Sequence, residues 1–443
     1  MKRKNLFLSI LLLAFGLTLK AQENGVLSME EAISLALKNN QSLKIQQRRV
    51  DIATNDMFPG NAGLVPTVSF LGNASYQSND TDAVIRTFQE NPETIDVTDG
   101  AAATTTYSAV IQADYVLLGG FSGRYQYKLL QDQKDLAYYQ QQALINRTIV
   151  TVSGIFLEIA KLQRQEELLT KNVSIGEERV SKVEDQFEFG NVNGLDVLRA
   201  KTDLNQDKSS LDQVLVAKNN LKRDLNFLIG LEAETKYKVK AEYQPPANRN
   251  MDELKNEVIS QNPDIQLSKK GVDAAQNRYK VSTTTRLPQV NAFVNYGYFN
   301  QENDFQQLAE IETLGYTVGI GLRYNLFNGG RTKRGIQSAK LNREISQFTK
   351  EETKSRVVAD AVKEQNNLIL LQDQLKREEE NIGTFRESYT RTEERFYNGK
   401  VTSLDLRDAQ TALLNAEIII SDLKAEIMKT SLRLEALKGN LMR

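Results

Sequence analysis

The chain has 443 residues, of which 26% are charged and 40% are hydrophobic, and this length is sufficient for two or three ordinary domains. It contains no cysteine and no histidine. Disulfides, thiolate metal sites, Ser-His-Asp triads and the usual zinc sites are therefore excluded. The formal net charge of -1 argues against a dedicated nucleic-acid-binding protein, which normally has a basic excess. The composition favours a protein that is not an enzyme and holds no cofactor or metal.

The first twenty-one residues have the pattern of a secretory signal peptide. Lys2, Arg3 and Lys4 precede an apolar run over residues 6–19, and Ala21 is a small residue suited to cleavage. The alternative is an N-terminal membrane anchor, although about 14 apolar residues are few for a span. Losing these three basic residues and Lys20 would change the formal charge from -1 to -5. Because no later segment reaches the roughly 20 apolar residues of a membrane helix, we expect any membrane span to consist of strands.

The sequence contains one unit twice. Four pairs of segments match in order, namely 29–40 with 251–262, 65–68 with 287–290, 115–120 with 324–329 and 190–196 with 399–405. The first two pairs are offset by 222 residues and the last two by 209, so a variable loop of different length lies between Val68 and Tyr115. The sequence therefore predicts a first repeat over residues 22–230, a linker over 231–250 and a second repeat over 251–443.

Each repeat is predicted to contain a helix, two strands, a long helix, a turn and a return helix. The predicted elements after the first helix are strands at about 66–78 and 107–118, helices at about 122–189 and 193–229, strands at about 288–299 and 315–327, and helices at about 331–398 and 402–439. Polar segments at 79–106 and 301–314 are predicted to be loops outside the cell.

The two faces of each predicted strand differ in polarity. Val68, Phe70 and Tyr76 share one face, whereas Ser69 and Asn73 lie on the other. A length of about ten to thirteen residues suits a tilted membrane strand, and the alternation with tyrosines near the ends is typical of outer-membrane barrels. A soluble sheet packed on a core is the alternative, but the rest of the chain offers no separate globular core.

The predicted helices are long and have coiled-coil spacing. Residues 122–189 and 331–398 contain no proline, and at 1.5 Å per residue each helix would extend about 100 Å. Apolar side chains recur at alternating spacings of three and four, for instance at Leu406, Ala409 and Leu413. Gly190 and Gly399 predict the helix-ending turns.

Residues suited to capping follow both turns. Asn193 and Thr402 are good N-caps for the return helices, and an aspartate, Asp196 or Asp405, lies three positions after each cap. The chain is therefore expected to double back at both turns.

Four strands are too few to close a barrel, and an open sheet edge is not tolerated in lipid. Two copies would supply eight strands and three copies twelve. An eight-stranded barrel is filled by side chains, so the polar inner face favours three copies around a pore. The sequence predicts an α+β membrane protein in which each protomer gives four strands to an outer-membrane barrel. The long helices would continue this barrel into the periplasm as a ring of coiled coils.

Three segments carry a family resemblance. LPQV at 287–290, YNLFNGG at 324–330 and FYNGKVTSLD at 396–405 resemble the TolC-type outer membrane efflux family, and the resemblance covers essentially all of residues 22–443. It implies a homotrimer with a twelve-stranded barrel in the Gram-negative outer membrane and a periplasmic helical tunnel. It also implies docking to a periplasmic adaptor and an inner-membrane pump, so that small toxic compounds or proteins leave the cell. The resemblance does not identify the exported substrate.

The resemblance also implies a pore constriction. The family closes its periplasmic end with acidic side chains, and the matching positions here are Asp405 and Asp408, which would give six carboxylates in a trimer. For Asp405, helix capping is an alternative role. The first-half acid, Asp196, is tied in relatives to a tyrosine and an arginine, but those positions hold Phe396 and Val401 here. This difference puts the closing network in doubt.

The turns are implied to be the places where the adaptor docks. The matching residues are Gly190 and Gly399 with the adjacent Lys400 and Val401. Lys400 is a nearby basic residue that could replace the missing arginine.

Two other functions fit parts of the sequence. A secreted periplasmic coiled-coil scaffold would explain the heptads without transport, but it does not explain four alternating strands. A periplasmic enzyme would need a clustered site, whereas the acidic residues have ordinary solvated spacing on helices and no phosphate-binding glycine loop opens a helix after a strand.

Overall fold

The computed structural model describes residues 25–86, 94–246, 250–304, 309–439 and 441. The predicted signal peptide lies outside the described residues. The elements in chain order are β1 (Val26–Leu27), α1 (Met29–Asn39), α2 (Gln41–Asp56), a short 3-10 helix (Pro59–Ala62), β2 (Thr67–Arg86), β3 (Thr94–Leu118), α3 (Ser122–Glu188), α4 (Gly194–Ile229), β4 (Lys238–Val239), α5 (Met251–Gln261), α6 (Pro263–Thr284), β5 (Gln289–Asn303), β6 (Glu310–Arg323), α7 (Arg331–Tyr397) and α8 (Ser403–Lys438).

The helix lengths confirm the internal duplication. The first helices α1 and α5 have 11 residues each, the long helices α3 and α7 have 67 each, and the return helices α4 and α8 have 36 each. The strands differ in length, since β2 and β3 have 20 and 25 residues but β5 and β6 have 15 and 14. The duplicated unit thus conserves its helical geometry and varies in its hairpins.

The leading helix of each repeat is two helices rather than the single one predicted. The breaks lie at Asn40 and Asn262, which are both buried. Asn40 Nδ2 donates to the carbonyl oxygen of Leu228 at 3.1 Å, and Asn262 Nδ2 donates to that of Leu437 at 2.9 Å. Each asparagine therefore bonds to the end of its own return helix, and this tertiary contact compensates for the interrupted helical bonds.

The four long strands form one antiparallel sheet in the order β2-β3-β5-β6. Cross-strand partners preserve the predicted faces, because the register aligns Phe70 with Ile111, Ile111 with Tyr296 and Tyr296 with Tyr316. Phe70 is 70% exposed and Tyr316 is 79% exposed in the protomer. The sheet therefore presents a continuous, uncovered apolar face, and β2 and β6 form its two edges.

The strands extend further than the sequence predicted. The predicted loop at 79–106 is largely strand, since Thr81–Arg86 pairs with Thr94–Asp99 beyond a register shift at Asn79/Thr81. In the second repeat, β5 reaches Asn303 and β6 begins at Glu310, within the predicted loop at 301–314. The acidic residues suggested a loop, but threonine, valine and isoleucine interleave with them and favour a hairpin, whose backbone pairing needs no apolar face.

The chain divides into two compact units that do not follow the repeats. One contains the described residues up to Ile45 with Ala143–Asn262 and Val357–Arg443, and the other contains Gln46–Gln142 with Pro263–Arg356. The second unit holds the four-stranded sheet. Both repeats contribute helices to each unit.

The first unit has an apolar core. Val152, Phe156 and Ile159 of α3 are fully buried, and they cluster with Ala32 of α1 and Leu225 of α4. In the part of the chain that the structure describes, α3 is the one helix with a window long and apolar enough to cross a membrane, and 39% of that window is buried. This corrects the expectation that no later segment would be so apolar.

Candidate functional site

The two turns between long and return helices have the same backbone geometry. Gly190 and Gly399 have φ values of 75° and 68°. The amide of Gly190 donates to the carbonyl oxygen of Phe187 at 2.9 Å, and that of Gly399 donates to Phe396 at 2.9 Å. The amide of the residue after each glycine donates to the carbonyl oxygen one residue further back, that of Gln186 or Arg395, in the arrangement of a Schellman motif. Glycine is needed at both positions because other residues are strained in the left-handed region.

Capping boxes begin both return helices. Asn193 caps α4 with Asp196, and Thr402 caps α8 with Asp405. One oxygen of Asp405 accepts from Thr402 N at 2.8 Å and from Thr402 Oγ1 at 2.7 Å. These hydrogen bonds hold the pKa of Asp405 below its usual value. Asp405 therefore has the capping role that the sequence left as an alternative.

The remaining acids at the turns lie at the surface. Asp408 is exposed on α8, one turn after Asp405, which is also exposed. Asp196 is half-buried and lies 3.9 Å from Arg199 Nη1. Asp405 and Asp408 therefore present two carboxylates on neighbouring turns of one helix.

An apolar cluster lies beneath the two turns. Phe396 is 1% exposed and packs with Val183, Ala200 and Leu406, and Val401 is partly buried against them. Phe396 and Val401 thus hold the two hairpins together by apolar contact. Lys400 is exposed, and no ion pair involving it is found among the described residues.

Sequence reasoning missed a charged network close to this cluster. Arg407 of α8 forms a bidentate pair with Asp207 of α4, at 2.7 and 2.8 Å. Arg179 of α3 donates to Asp203 at 3.1 Å, and Asp203 also lies 3.9 Å from Arg407 Nε. Asp207 and Arg179 are buried. The network, which we call the Arg-Asp quartet, links both hairpins within one protomer.

Burial affects Arg179 most strongly. Its side chain is 1% exposed, and desolvation lowers its pKa despite the nearby Asp203. Its Nε and Nη1 atoms have no hydrogen-bond partner among the described residues. This arginine is therefore held by one hydrogen bond, to Asp203, and by the charges of Asp203 and Asp207, which makes the arrangement sensitive to any shift between the helices.

The quartet ends a row of polar side chains on α3. Four of them, seven residues apart, make cross-helix hydrogen bonds, which are Glu158 with Lys429, Gln165 with Asp422, Asn172 with Gln410, and Arg179 with Asp203. The first three partners are on α8 and the last is on α4. Seven-residue spacing keeps these groups on one side of a coiled coil, where polar residues fix the register of the helices. The polar heptad positions were the sequence signal that could have revealed this row.

Among the described residues, no group of acidic side chains is arranged to hold a metal ion. The chemistry of this region is therefore that of helix capping, apolar packing and charge pairing.

Comparison with known proteins gives the family. The family model described as Outer membrane efflux protein matches residues 32–231 and 254–440, which is most of the chain and both repeats. The chain belongs to this family. It is accordingly an outer-membrane transport protein, as the resemblance implied. Members of the family form trimers that work with a periplasmic adaptor and an inner-membrane pump.

Individual relatives of this outer membrane efflux protein are distant but nearly full length. It is 21% identical to the alkaline protease secretion protein AprF of Pseudomonas aeruginosa, over 96% of this chain and 87% of AprF. It is 22% identical to the outer membrane protein TolC of Vibrio cholerae, over 68% of each chain. Among solved structures, the outer-membrane channel OprN matches with a TM-score of 0.78 at 16% identity, over 93% of this chain and 90% of OprN. The CmeC outer membrane channel of Campylobacter jejuni gives 0.77 at 17% identity, over 93% and 85%. The α+β fold is thus that of the efflux channels.

Proposed function

We propose that three copies of this protein form the exit duct of a tripartite efflux or type I secretion system. The observation that carries the proposal is the four-stranded sheet, which has an exposed apolar face and two unpaired edges. Such a sheet is stable in lipid only when its edges are closed, and three copies would supply twelve strands. A periplasmic adaptor and an inner-membrane pump would deliver small toxic compounds or proteins to this duct.

The turns supply the proposed constriction. Asp405 and Asp408 are exposed on α8, and three protomers would bring six carboxylates to one axis, where they would attract cations. Asp196 would contribute beside them from the first hairpin. Because its bonds to Thr402 lower the pKa of Asp405, this carboxylate would stay charged in mildly acidic solution.

The Arg-Asp quartet and the apolar cluster would hold the constriction in place. Phe396 packs with Val183 and Ala200 of the first hairpin, and this apolar packing would take the place of the tie to Asp196 that the family resemblance implies. Arg407 lies one residue before Asp408 and pairs with Asp207 of the first hairpin. A movement of α8 that displaced Asp408 would therefore also break a buried ion pair.

The adaptor would dock at the two turns. Gly190, Gly399 and Lys400 are exposed, and Val401 is partly buried beneath them. A short glycine-containing turn allows a close backbone approach by a partner, and Lys400 offers a charge for an acidic group.

Single-channel conductance in planar bilayers tests the constriction. We expect a small, cation-selective conductance in the wild type and a loss of selectivity in Asp405→Asn/Asp408→Asn, because asparagine retains the capping acceptor but removes the charge. The cation selectivity of the wild type should persist when the pH is lowered below the usual pKa of aspartate. It should disappear as the pH falls through the lowered pKa of Asp405. The matched control is Asp212→Asn/Asp224→Asn, two exposed acids of α4.

Two outcomes would contradict this assignment. Equal cation selectivity in the wild type and the Asp405/Asp408 variant would mean that these residues do not form the constriction. Protein that inserts into the bilayer but gives no conductance, even when its adaptor is added, would favour a structural scaffold over a duct.

A further inference from the structure

The end of the sheet that leads into the helices is rich in basic residues, and its described strand acid Asp114 accepts a hydrogen bond from Gln112 at 2.7 Å. Residues 57–79, 115–131, 274–301 and 313–343 contain no aspartate or glutamate. Their charged residues are all basic, namely Arg124, Lys128, Arg278, Lys280, Arg286, Arg323, Arg331, Lys333, Arg334, Lys340 and Arg343. We call this group of basic residues the basic rim.

Tertiary contacts bring the segments of the basic rim together. A Cβ atom on Gly120 would lie 2.5 Å from Leu287 Cδ1, so the turn after β3 packs closely on the segment before β5. Lys280 Nζ lies 5.4 Å from the centre of the Tyr125 ring, and the Arg343 guanidinium lies 5.1 Å from the centre of Tyr279. The basic residues are therefore neighbours in one surface region.

Most of this charge is not neutralised within the protomer. Arg124, Arg286, Arg331, Lys333 and Arg334 are exposed, and none of them has an ion pair among the described residues. Arg331 Nε donates to the carbonyl oxygen of Asn328 at 3.3 Å, which leaves its charge unpaired. Elsewhere exposed cations do pair, as Lys201 does with Glu184 at 2.7 Å. The rim is thus suited to anionic partners from outside the protomer.

The rim adjoins the apolar face of the sheet. Tyr316 and Tyr324 share that face eight residues apart, as do Tyr107 and Tyr115. Eight residues of extended chain span about 26 Å, which is about 20 Å of height at the usual tilt of about 40°, so both tyrosines of a pair fall near the limits of an apolar band about 25 Å tall. Phe327, just beyond Tyr324, is 87% exposed, and the basic residues of α7 follow it. An aromatic girdle followed by basic side chains is the sequence of groups found at a membrane-water interface.

The opposite end of the sheet carries the opposite charge. The hairpin of β5 and β6 has Glu302, Asp304, Glu310 and Glu312 and no described basic residue between them. Apart from Arg86 in the hairpin of β2 and β3, the basic residues of the described sheet and its adjoining turns lie at the end that continues into the helices, which is the periplasmic end in this family.

We propose that the basic rim binds the anionic headgroups of phospholipids in the periplasmic leaflet of the outer membrane. Arg331, Lys333 and Arg334 come directly after Phe327 and the tyrosine girdle, which places them at the level of the headgroups when the tyrosines are at the interface, and arginine pairs well with phosphate oxygens. The binding sets the depth of the barrel in the membrane. The inference rests on the outer-membrane location of the family and is independent of whether the duct conducts.

Lipid retention measured by native mass spectrometry tests the proposal. The wild-type assembly would be taken from nanodiscs of phosphatidylethanolamine with and without cardiolipin and compared with Arg331→Gln/Lys333→Gln/Arg334→Gln. The matched control is Arg356→Gln/Lys363→Gln/Lys376→Gln, which removes three exposed charges further along the same helix. We expect the wild type and the control to retain cardiolipin preferentially and the rim variant to lose about tenfold or more of that preference.

Several outcomes would overturn the proposal. Equal cardiolipin retention by the wild type and the rim variant, or equal loss in the rim and control variants, would overturn the proposal. If the rim variant does not assemble, the salt dependence of cardiolipin retention by the wild type tests the proposal instead. Pairing with the headgroups requires that added salt reduce this retention. Salt-independent retention would overturn the proposal, as would binding of soluble polyphosphate by the wild type without any preference for cardiolipin. Conductance of the rim variant separates this result from the proposed function, since a lipid-binding defect leaves the pore lining intact.

Discussion

Single residues at the turns combine structural and functional demands. Asp405 caps α8 through Thr402 and is also an exposed carboxylate of the proposed constriction. A lowered folded-state pKa means that the capping contribution is present above the unfolded pKa and is lost as the pH falls through the folded one. Asp408 lies beyond the capping box, so its part in the proposed constriction would be its charge alone.

The Arg-Asp quartet is expected to contribute strongly to stability through Asp207. Asp207→Asn leaves Arg407 without a full charge partner, and breaking a buried pair in this way costs about 3–5 kcal/mol. We expect a corresponding fall in the free energy of unfolding, measured by thermal denaturation of the purified trimer. Lys201→Gln, which breaks an exposed pair with Glu184, should cost less than about 1 kcal/mol.

A double variant distinguishes pairing from packing in the quartet. Asp207→Leu/Arg407→Met removes both charges and should recover most of the stability that Asp207→Asn loses, because no unpaired charge remains. If Asp207→Asn alone were neutral, the pair would not hold the hairpins together.

At the scale of elements, the helical hairpins depend on backbone conformation at one position each. Gly399 has φ of 68° with no atom within 4 Å of a Cβ placed there, so space is not the constraint. The left-handed backbone is the constraint, and it is the same at Gly190.

Gly399→Ala is expected to destabilise the second hairpin by about 1–2 kcal/mol through backbone strain. Gly383→Ala is the matched control, since it also has open space but lies within α7, where alanine should stabilise by about 0.5–1 kcal/mol. Thermal denaturation followed by circular dichroism measures both. Equal effects of the two changes would mean that the turn does not require a left-handed residue.

The helices and strands also show which structural features the sequence patterns predict. The heptad spacing and the glycine turns predicted the long helices, because local propensity and period agree along each of them. The prediction of a loop at residues 79–106 is wrong for the described part of that range, because acidic residues favour a loop whereas backbone pairing continues between Thr81–Arg86 and Thr94–Asp99. Strand ends depend on the partner strand, which local composition does not specify.

At the scale of the molecule, the apolar face of the sheet is the feature that requires a membrane. Ile320 and Val318 are 72% and 66% exposed in the protomer. A continuous patch of such exposed apolar side chains is not typical of a protein surface in water. Because the family is located in the outer membrane, lipid surrounds this face of the sheet.

Ile320→Lys is expected to impair insertion, because a lysine near the bilayer midplane on the lipid face costs about 2–4 kcal/mol. Thr317→Lys, on the polar face of the same strand, should insert normally. Outer-membrane fractionation and the yield of trimer measure the difference. Normal insertion of Ile320→Lys together with failure of Thr317→Lys would mean that the two faces are assigned the wrong way round.

The sequence by itself determined the duplication, the helical hairpins and the polarity of the sheet faces. These features follow from period, capping and turn chemistry, which act over a few residues. Tertiary structure decided which residues join the hairpins. Arg179, Asp203, Asp207 and Arg407 lie on three helices and up to 228 residues apart in the chain, so their pairing depends on helix register and burial. Likewise, the burial of Phe396 between the two hairpins depends on the tertiary structure, because Val183 and Leu406, which pack on it, belong to other helices.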